Sequence, residues 1–261
     1  MADPPRMALT QRDRQLLLRL HYYRFLTTHQ FEALLFHTGK TPRSLRTQCQ
    51  RRLQLLYHHG YVARIPLRVT LDVGTGNKGE GRKPFVYVLD RLGLEEVVLI
   101  LGKARSQLDP PPRLDRIRDW RKLAHDIANN DTLIVIDRLV QAGTVELSTW
   151  LTQRQLKSSA YKQMLPAISV NGSLKLKEPD SYFVLNFANL PQPIHCFYEE
   201  DLDTEVESAW QEKVTAYFQY RHQGRAYEHF GCRNFRVLTK TTDQNRLAKL
   251  KRAFEYLMST C

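Results

Sequence analysis

The chain has 261 residues, 42% of them hydrophobic and 25% charged, with a formal net charge of +12. This length and balance fit two folded domains and exclude a disordered polyelectrolyte. The longest apolar run, residues 97–101, excludes a bilayer-spanning helix.

Residues 9–21 (LTQRDRQLLLRLH) read as a helix that Thr10 caps, with Leu16, Leu17 and Leu20 on its apolar face. Thr27 to Gln30 open a second, short helix, with Phe31, Leu34 and Leu35 inward. Thr41-Pro42 open a third, since proline suits the first helical turn. In it Leu45, Cys49, Leu53 and Leu56 form one stripe, and Arg43, Arg46, Thr47, Gln50, Arg51 and Gln54 fall largely on the other faces. Gly60 ends this helix. Strands are expected over 61–65 and 86–89, around the glycine-rich stretch VGTGNKGEGRKP that carries Lys78, Arg82 and Lys83. Three helices and then a hairpin with a basic tip is the order of a winged helix-turn-helix. A closing helix over 92–101 completes the first part. Residues 104–119, with Pro110-Pro111-Pro112 and many charges, read as a linker.

The second part begins with a helix over 120–141. Strands are expected over 145–151, 173–177, 181–187 and 193–199, then a helix over 204–220, a strand over 235–239 and a closing helix over 243–258. This order suggests a mixed sheet covered by helices.

Charge is unevenly spread. Residues 1–103 hold 17 Lys/Arg against 8 Asp/Glu, a net of +9, and residues 104–261 hold 22 against 19, a net of +3. A basic domain attracts polyanions, duplex DNA foremost. The third helix is the expected reader. Arg43, Arg46, Thr47 and Gln50 lie near its start, where arginine reads guanine and glutamine reads adenine. Arg51 and Arg52 suit phosphates, as do Lys78, Arg82 and Lys83 on the hairpin. A solvated helix face, or a winged domain that binds protein instead of DNA, remains the competing reading.

Acidic residues cluster in the second part. Asp180 follows Pro179 directly before SYFVLNF. Glu199, Glu200 and Asp201 end the next strand, and Lys213 lies on the following helix. Asp180 and Glu199 are the candidate metal ligands, and Asp180, Glu199, Asp201 and Lys213 the candidate catalytic set, of a Mg²⁺-dependent phosphodiester cleavage like that of restriction-endonuclease-like folds. Nucleases of the P-D…(D/E)-x-K form need lysine two residues after the acid, where this chain has Asp201. Asp201, Asp203, Glu205 and Glu207 equally suit a helix start, with Thr204-Glu205-Val206-Glu207 as a capping box. His125, in LAHDIANND, suits either structure or acid–base work. No phosphate-binding G-x-x-x-x-G-K-[ST] loop and no G-x-S-x-G elbow is present. Cys49, Cys196, Cys232 and Cys261 are scattered without a C-x-x-C pair, so neither zinc nor a disulfide framework is expected. With no leader peptide expected either, a cytoplasmic location follows.

Several segments together resemble the replication-relaxation family of plasmid and mobile-element proteins. They are LTQRDRQLLLRLHYYRFLTTHQFEALLF, RSLRTQCQRRLQLLYHHGYVARI, PFVYVLDRLG, LAHDIANNDTLI, KEPDSYFVL, CFYEEDLDTEVESAWQEKVTAYFQY and FRVLTKTTDQNRLAKL. The family's acidic segment corresponds here to Glu199, Asp201, Thr204 and Glu205, followed by Lys213 and Tyr217. His125 and Pro179-Asp180 match other recurrent points, while Asp203 stands where the family often has glycine. The resemblance implies an N-terminal winged helix and DNA binding in plasmid replication, copy control or mobilisation.

The expectation is therefore an α+β chain. A winged helix-turn-helix domain occupies residues 1–103, a linker 104–119, and a mixed α/β domain like a degenerate restriction endonuclease 120–261. Its expected function is sequence-specific binding of double-stranded DNA in replication, mobilisation or transcription control. The alternatives are a metal-dependent nuclease and a winged-helix protein adaptor. No cofactor is expected unless the nuclease alternative brings Mg²⁺. Replication, mobilisation or transposition proteins and a second copy in a homodimer are the expected protein partners, and no membrane is.

Overall fold

The computed structural model describes residues 7–36, 41–67, 84–170, 173–202, 206–241 and 244–260. Helix α1 (Gln11–Tyr23) starts where a capping box closes. The Asp13 amide donates to the Thr10 hydroxyl, and the Thr10 amide donates to Asp13 Oδ2 at 2.6 Å. Strand β1 (Leu26–Thr27) leads into α2 (Thr28–Leu35), which Thr27 and Gln30 cap in the same way. Helix α3 (Pro42–His58) is capped by Thr41 and buries Cys49, Leu53 and Leu56. Gly60, at φ +71°, turns the chain into β2 (Val62–Pro66). Strand β3 (Phe85–Leu89) pairs antiparallel with β2, Val62 opposite Leu89, and on its other side with β1, Leu26 opposite Tyr87. The sheet order is therefore β1-β3-β2. Helix α4 (Arg91–Leu101) follows. Gly93 lets it lie against the preceding chain, since a Cβ there would stand 2.1 Å from the Tyr61 carbonyl oxygen.

The sequence placed the next helix, α5 (Trp120–Gln141), at the start of the second domain. The chain instead divides into compact units 1–138 and 139–261, so nearly all of α5 belongs to the first unit. Its Leu123 and Ile127 pack with Leu67 and Val86. The Gln30 amide donates to the Ile127 carbonyl (2.8 Å) and to Asp131 (2.7 Å), and Asn130 donates to the carbonyls of Tyr23 (3.2 Å) and Phe25 (2.7 Å). Arg19 pairs with Asp137 at 2.7 Å. The proline-rich stretch before α5 has the composition of a linker, but these contacts, about a hundred residues apart in sequence, hold the helix to the first unit.

In the second unit β4 (Glu146–Thr152) leads into the short helix α6 (Gln153–Leu156), and a separate hairpin follows, β5 (Ala167–Val170) with β6 (Ser173–Leu176). Strands β7 (Ser181–Asn186) and β8 (Ile194–Asp201) precede helices α7 (Glu207–His222) and α8 (Arg225–Phe230), then strand β9 (Arg236–Thr241) and helix α9 (Gln244–Thr260). The sheet order is β4-β7-β8-β9. The first three strands run antiparallel and β9 lies parallel to β8, the chain between them carrying α7 and α8. Tyr182 and Phe197 on the sheet pack with Tyr217 and Tyr220 of α7, and Leu250 and Ala253 of α9 pack with Trp210. The protein is thus a mixed α/β molecule. No helix among the described residues is long and apolar enough to cross a membrane.

Candidate nucleic-acid interface and acidic centre

Helix α3 is sided as its pattern demands. Cys49, Leu53 and Leu56 of its apolar stripe are buried and Leu45 is half-buried, while Arg43, Arg46, Thr47, Gln50, Arg51 and Gln54 are exposed. Arg46 is 60% exposed, with Glu32 of α2 at 3.7 Å, too long and too solvated a pairing to hold it. The Thr47 hydroxyl donates back to the Arg43 carbonyl at 2.9 Å.

Arg52, which the sequence grouped with the phosphate contacts, is committed elsewhere. Its Nε donates to Asp13 Oδ1 at 2.5 Å, its Nη2 bonds the other carboxylate oxygen, and the same nitrogen donates to the Ala8 carbonyl at 3.3 Å. Asp13 has no exposed surface. Burial alone would raise its pKa, but the Arg52 guanidinium and the Thr10 donors outweigh that and hold it below the ordinary carboxylate value. Arg64 of β2, not singled out in the sequence, lies 4.3 Å from the ring centres of both Tyr57 and Phe85. Lys78, Arg82 and Lys83 lie outside the described residues.

The second unit brings Asp180, Glu199 and Lys213 together. Residues alternate across a strand, so Glu199 and Asp201 share one face of β8 and Glu200 takes the other. Glu199 accepts from Lys213 Nζ (3.0 Å) and from the Tyr217 hydroxyl (2.6 Å), one turn apart on α7. Asp180, just before β7, accepts from the Gln153 amide (3.0 Å) and from the Glu200 backbone N–H (2.8 Å). Burial is the largest influence on Glu199 and drives its pKa up to about 7. Lys213 opposes this, and the charge of Asp180 adds to it.

The neighbouring acids have other partners. Glu200 accepts from the Tyr198 hydroxyl (2.5 Å) and from Lys240 (3.0 Å). Asp201, expected beside Glu199, pairs with the buried Arg246 of α9 at 2.7 Å. Asp203 and Glu205 lie outside the described residues. Among the described residues no three His, Cys, Asp or Glu side chains gather as a metal-binding group. Asp180 and Glu199 supply two carboxylates, a donor count that Mg²⁺ accepts when water and substrate phosphate complete its shell. His125 is half-buried on α5 of the first unit. Gln153, Lys240 and Arg246 were missed in the sequence. The signal available for the two cations was an acidic strand that burial obliges to find counter-charges.

A sequence model described as replication-relaxation matches residues 17–234. No curated protein and no solved structure matches the chain.

Proposed function

The chain belongs to the replication-relaxation family, a membership that suggests a role in replication or mobile elements, and from that premise we propose that it is a sequence-specific binder of duplex DNA. The first unit acts as a winged helix, with α3 as the reading helix in the major groove. One observation carries this: α3 buries Cys49, Leu53 and Leu56 while leaving Arg43, Arg46, Thr47, Gln50 and Arg51 to solvent. Those side chains match what base edges and phosphates accept. Lys78, Arg82 and Lys83, in the glycine-rich stretch of the sequence, add contacts to the backbone. The DNA belongs to a plasmid or mobile element, and the process is its replication, mobilisation or transcription control.

The test is selection of bound fragments from a random duplex library, with and without Mg²⁺. An enriched site is expected, and Arg46→Ala and Gln50→Ala each reduce discrimination for it by ~1–3 kcal/mol. Retention of no duplex at all, with a protein partner captured through α3, would favour the adaptor reading.

A second reading has its own support. Three antiparallel strands, then α7 and α8 and a parallel fourth strand, with Asp180 just before the second strand of the sheet and Glu199 on the third, are compatible with a degenerate restriction-endonuclease-like fold. Asp180 and Glu199 would hold Mg²⁺, which supplies Lewis-acid stabilisation of phosphate charge. Lys213 holds Glu199 in place and adds positive charge beside it. This reading expects cleavage of the selected duplex in Mg²⁺ or Mn²⁺ that Asp180→Ala abolishes. Intact DNA with both metals removes it and leaves the binding reading standing.

A further inference from the structure

Away from the acids, the face of the sheet that carries Glu199 has a cavity of about 380 Å³. Thr149 of β4, Asn186 of β7 and His195 of β8 line it with the rings of Tyr161, Tyr182 and Phe230. The Tyr182 and Phe230 rings meet with centres 4.4 Å apart, tilted 35° to one another. The Tyr182 hydroxyl and His195 Nδ1 share a hydrogen bond at 2.6 Å.

The lining selects a ligand class. None of the lining residues is Lys, Arg, Asp or Glu. Burial lowers the pKa of His195 and so keeps its ring neutral at neutral pH. An anion such as a phosphate therefore has no counter-charge here. Aromatic surface combined with an amide and an imidazole nitrogen instead suits a flat, uncharged, hydrogen-bonding heterocycle, and the volume is ample for one.

We propose that this cavity receives one unpaired nucleobase of a DNA strand, stacked against Tyr161 and Phe230 and hydrogen-bonded by Asn186 and His195. For the source of the base the inference rests on the DNA-binding reading. Between His195 and Glu199 on this face of β8, Phe197 is buried beneath Tyr217 and Tyr220 of α7, so the cavity is a site separate from the acidic centre.

The full chain is titrated into single-stranded oligonucleotides that carry one 2-aminopurine, and in parallel into free 2-aminopurine deoxyriboside. Duplex binding is followed separately by anisotropy. Stacking quenches the fluorescence. Asn186→Trp, which fills the cavity, and Tyr161→Ala, which removes a ring, each weaken the quenching interaction about tenfold and leave duplex affinity unchanged. Two variants guard against one that misfolds, and near-ultraviolet circular dichroism checks both. Quenching of the free nucleoside alone supports the cavity and overturns the strand as its source. Quenching that both folded variants retain at wild-type strength, or no quenching of either probe, overturns the proposal. Absence of duplex binding with nucleoside quenching intact refutes the DNA reading and spares the cavity.

Discussion

Replacing Arg52 by alanine separates a structural cation from a DNA-binding one. The guanidinium makes two bonds to a carboxylate with no exposed surface, and its own side chain is only 25% exposed. Removing one member of such a pair strands the other and costs ~3–5 kcal/mol. The hydroxyl and amide of Thr10 still donate to Asp13 Oδ2, so the lower end, about 3 kcal/mol, is expected, a large share of a typical domain's stability. Urea denaturation followed by circular dichroism measures it. Arg52→Ala combined with Asp13→Asn should lose less than the two single changes together, because the double variant buries no charge. Asp13 has its pKa depressed below 3.8 in the folded chain. Its ion pair therefore contributes fully above that value, and the contribution fades as pH falls through the folded pKa. Arg52→Ala removes this part of the acid sensitivity. The salt dependence of duplex binding should stay at the wild-type slope in Arg52→Ala and fall by about one in Arg51→Ala. An Arg52→Ala protein as stable as the wild type, with a reduced salt slope, would refute the structural assignment.

Three other outcomes are expected. Gly93→Ala drives a methyl group into the Tyr61 carbonyl and costs ~1–3 kcal/mol, read as a lower denaturation midpoint with unchanged helix content. Arg246→Met leaves Asp201 buried without its ion pair and costs ~3–5 kcal/mol; adding Asp201→Leu should recover most of the loss in a thermal melt. Asn130→Ala takes a donor from the Tyr23 and Phe25 carbonyls, at ~1–3 kcal/mol, and should speed amide hydrogen exchange in α1 and α5; unchanged exchange would mean those bonds do not hold α5.

Local signals carried far in the sequence. Thr10, Thr27 and Thr41-Pro42 mark three helix starts because capping is settled within four residues. Most of the paired strands were legible from their aromatic and β-branched runs, but β5 was not expected and emerges only as the partner of β6. Strand β1 was not, because two residues show no period and Leu26–Thr27 becomes a strand only by lying beside β3. The place of α5 was hidden for a related reason: Gln30 and Asn130 act through bonds to distant backbone carbonyls. At the acidic centre Asp180, Glu199 and Lys213 were legible as a set. The diversion of Asp201 to Arg246 was not, since it depends on how α9 folds back beside β9.

Glu199, Glu200 and Asp201 are consecutive and chemically near-equivalent, yet a lysine–tyrosine pair, a tyrosine–lysine pair and an arginine divide them. The register of β8 between its neighbouring strands sets which face each acid takes, and the helices docked on the sheet supply most of the partners. Deleting one residue ahead of Tyr198 would exchange the two faces of β8 and set each carboxylate against partners that now serve its neighbour. The length of the turn joining β7 to β8 is therefore as much a determinant of this centre as any acid within it.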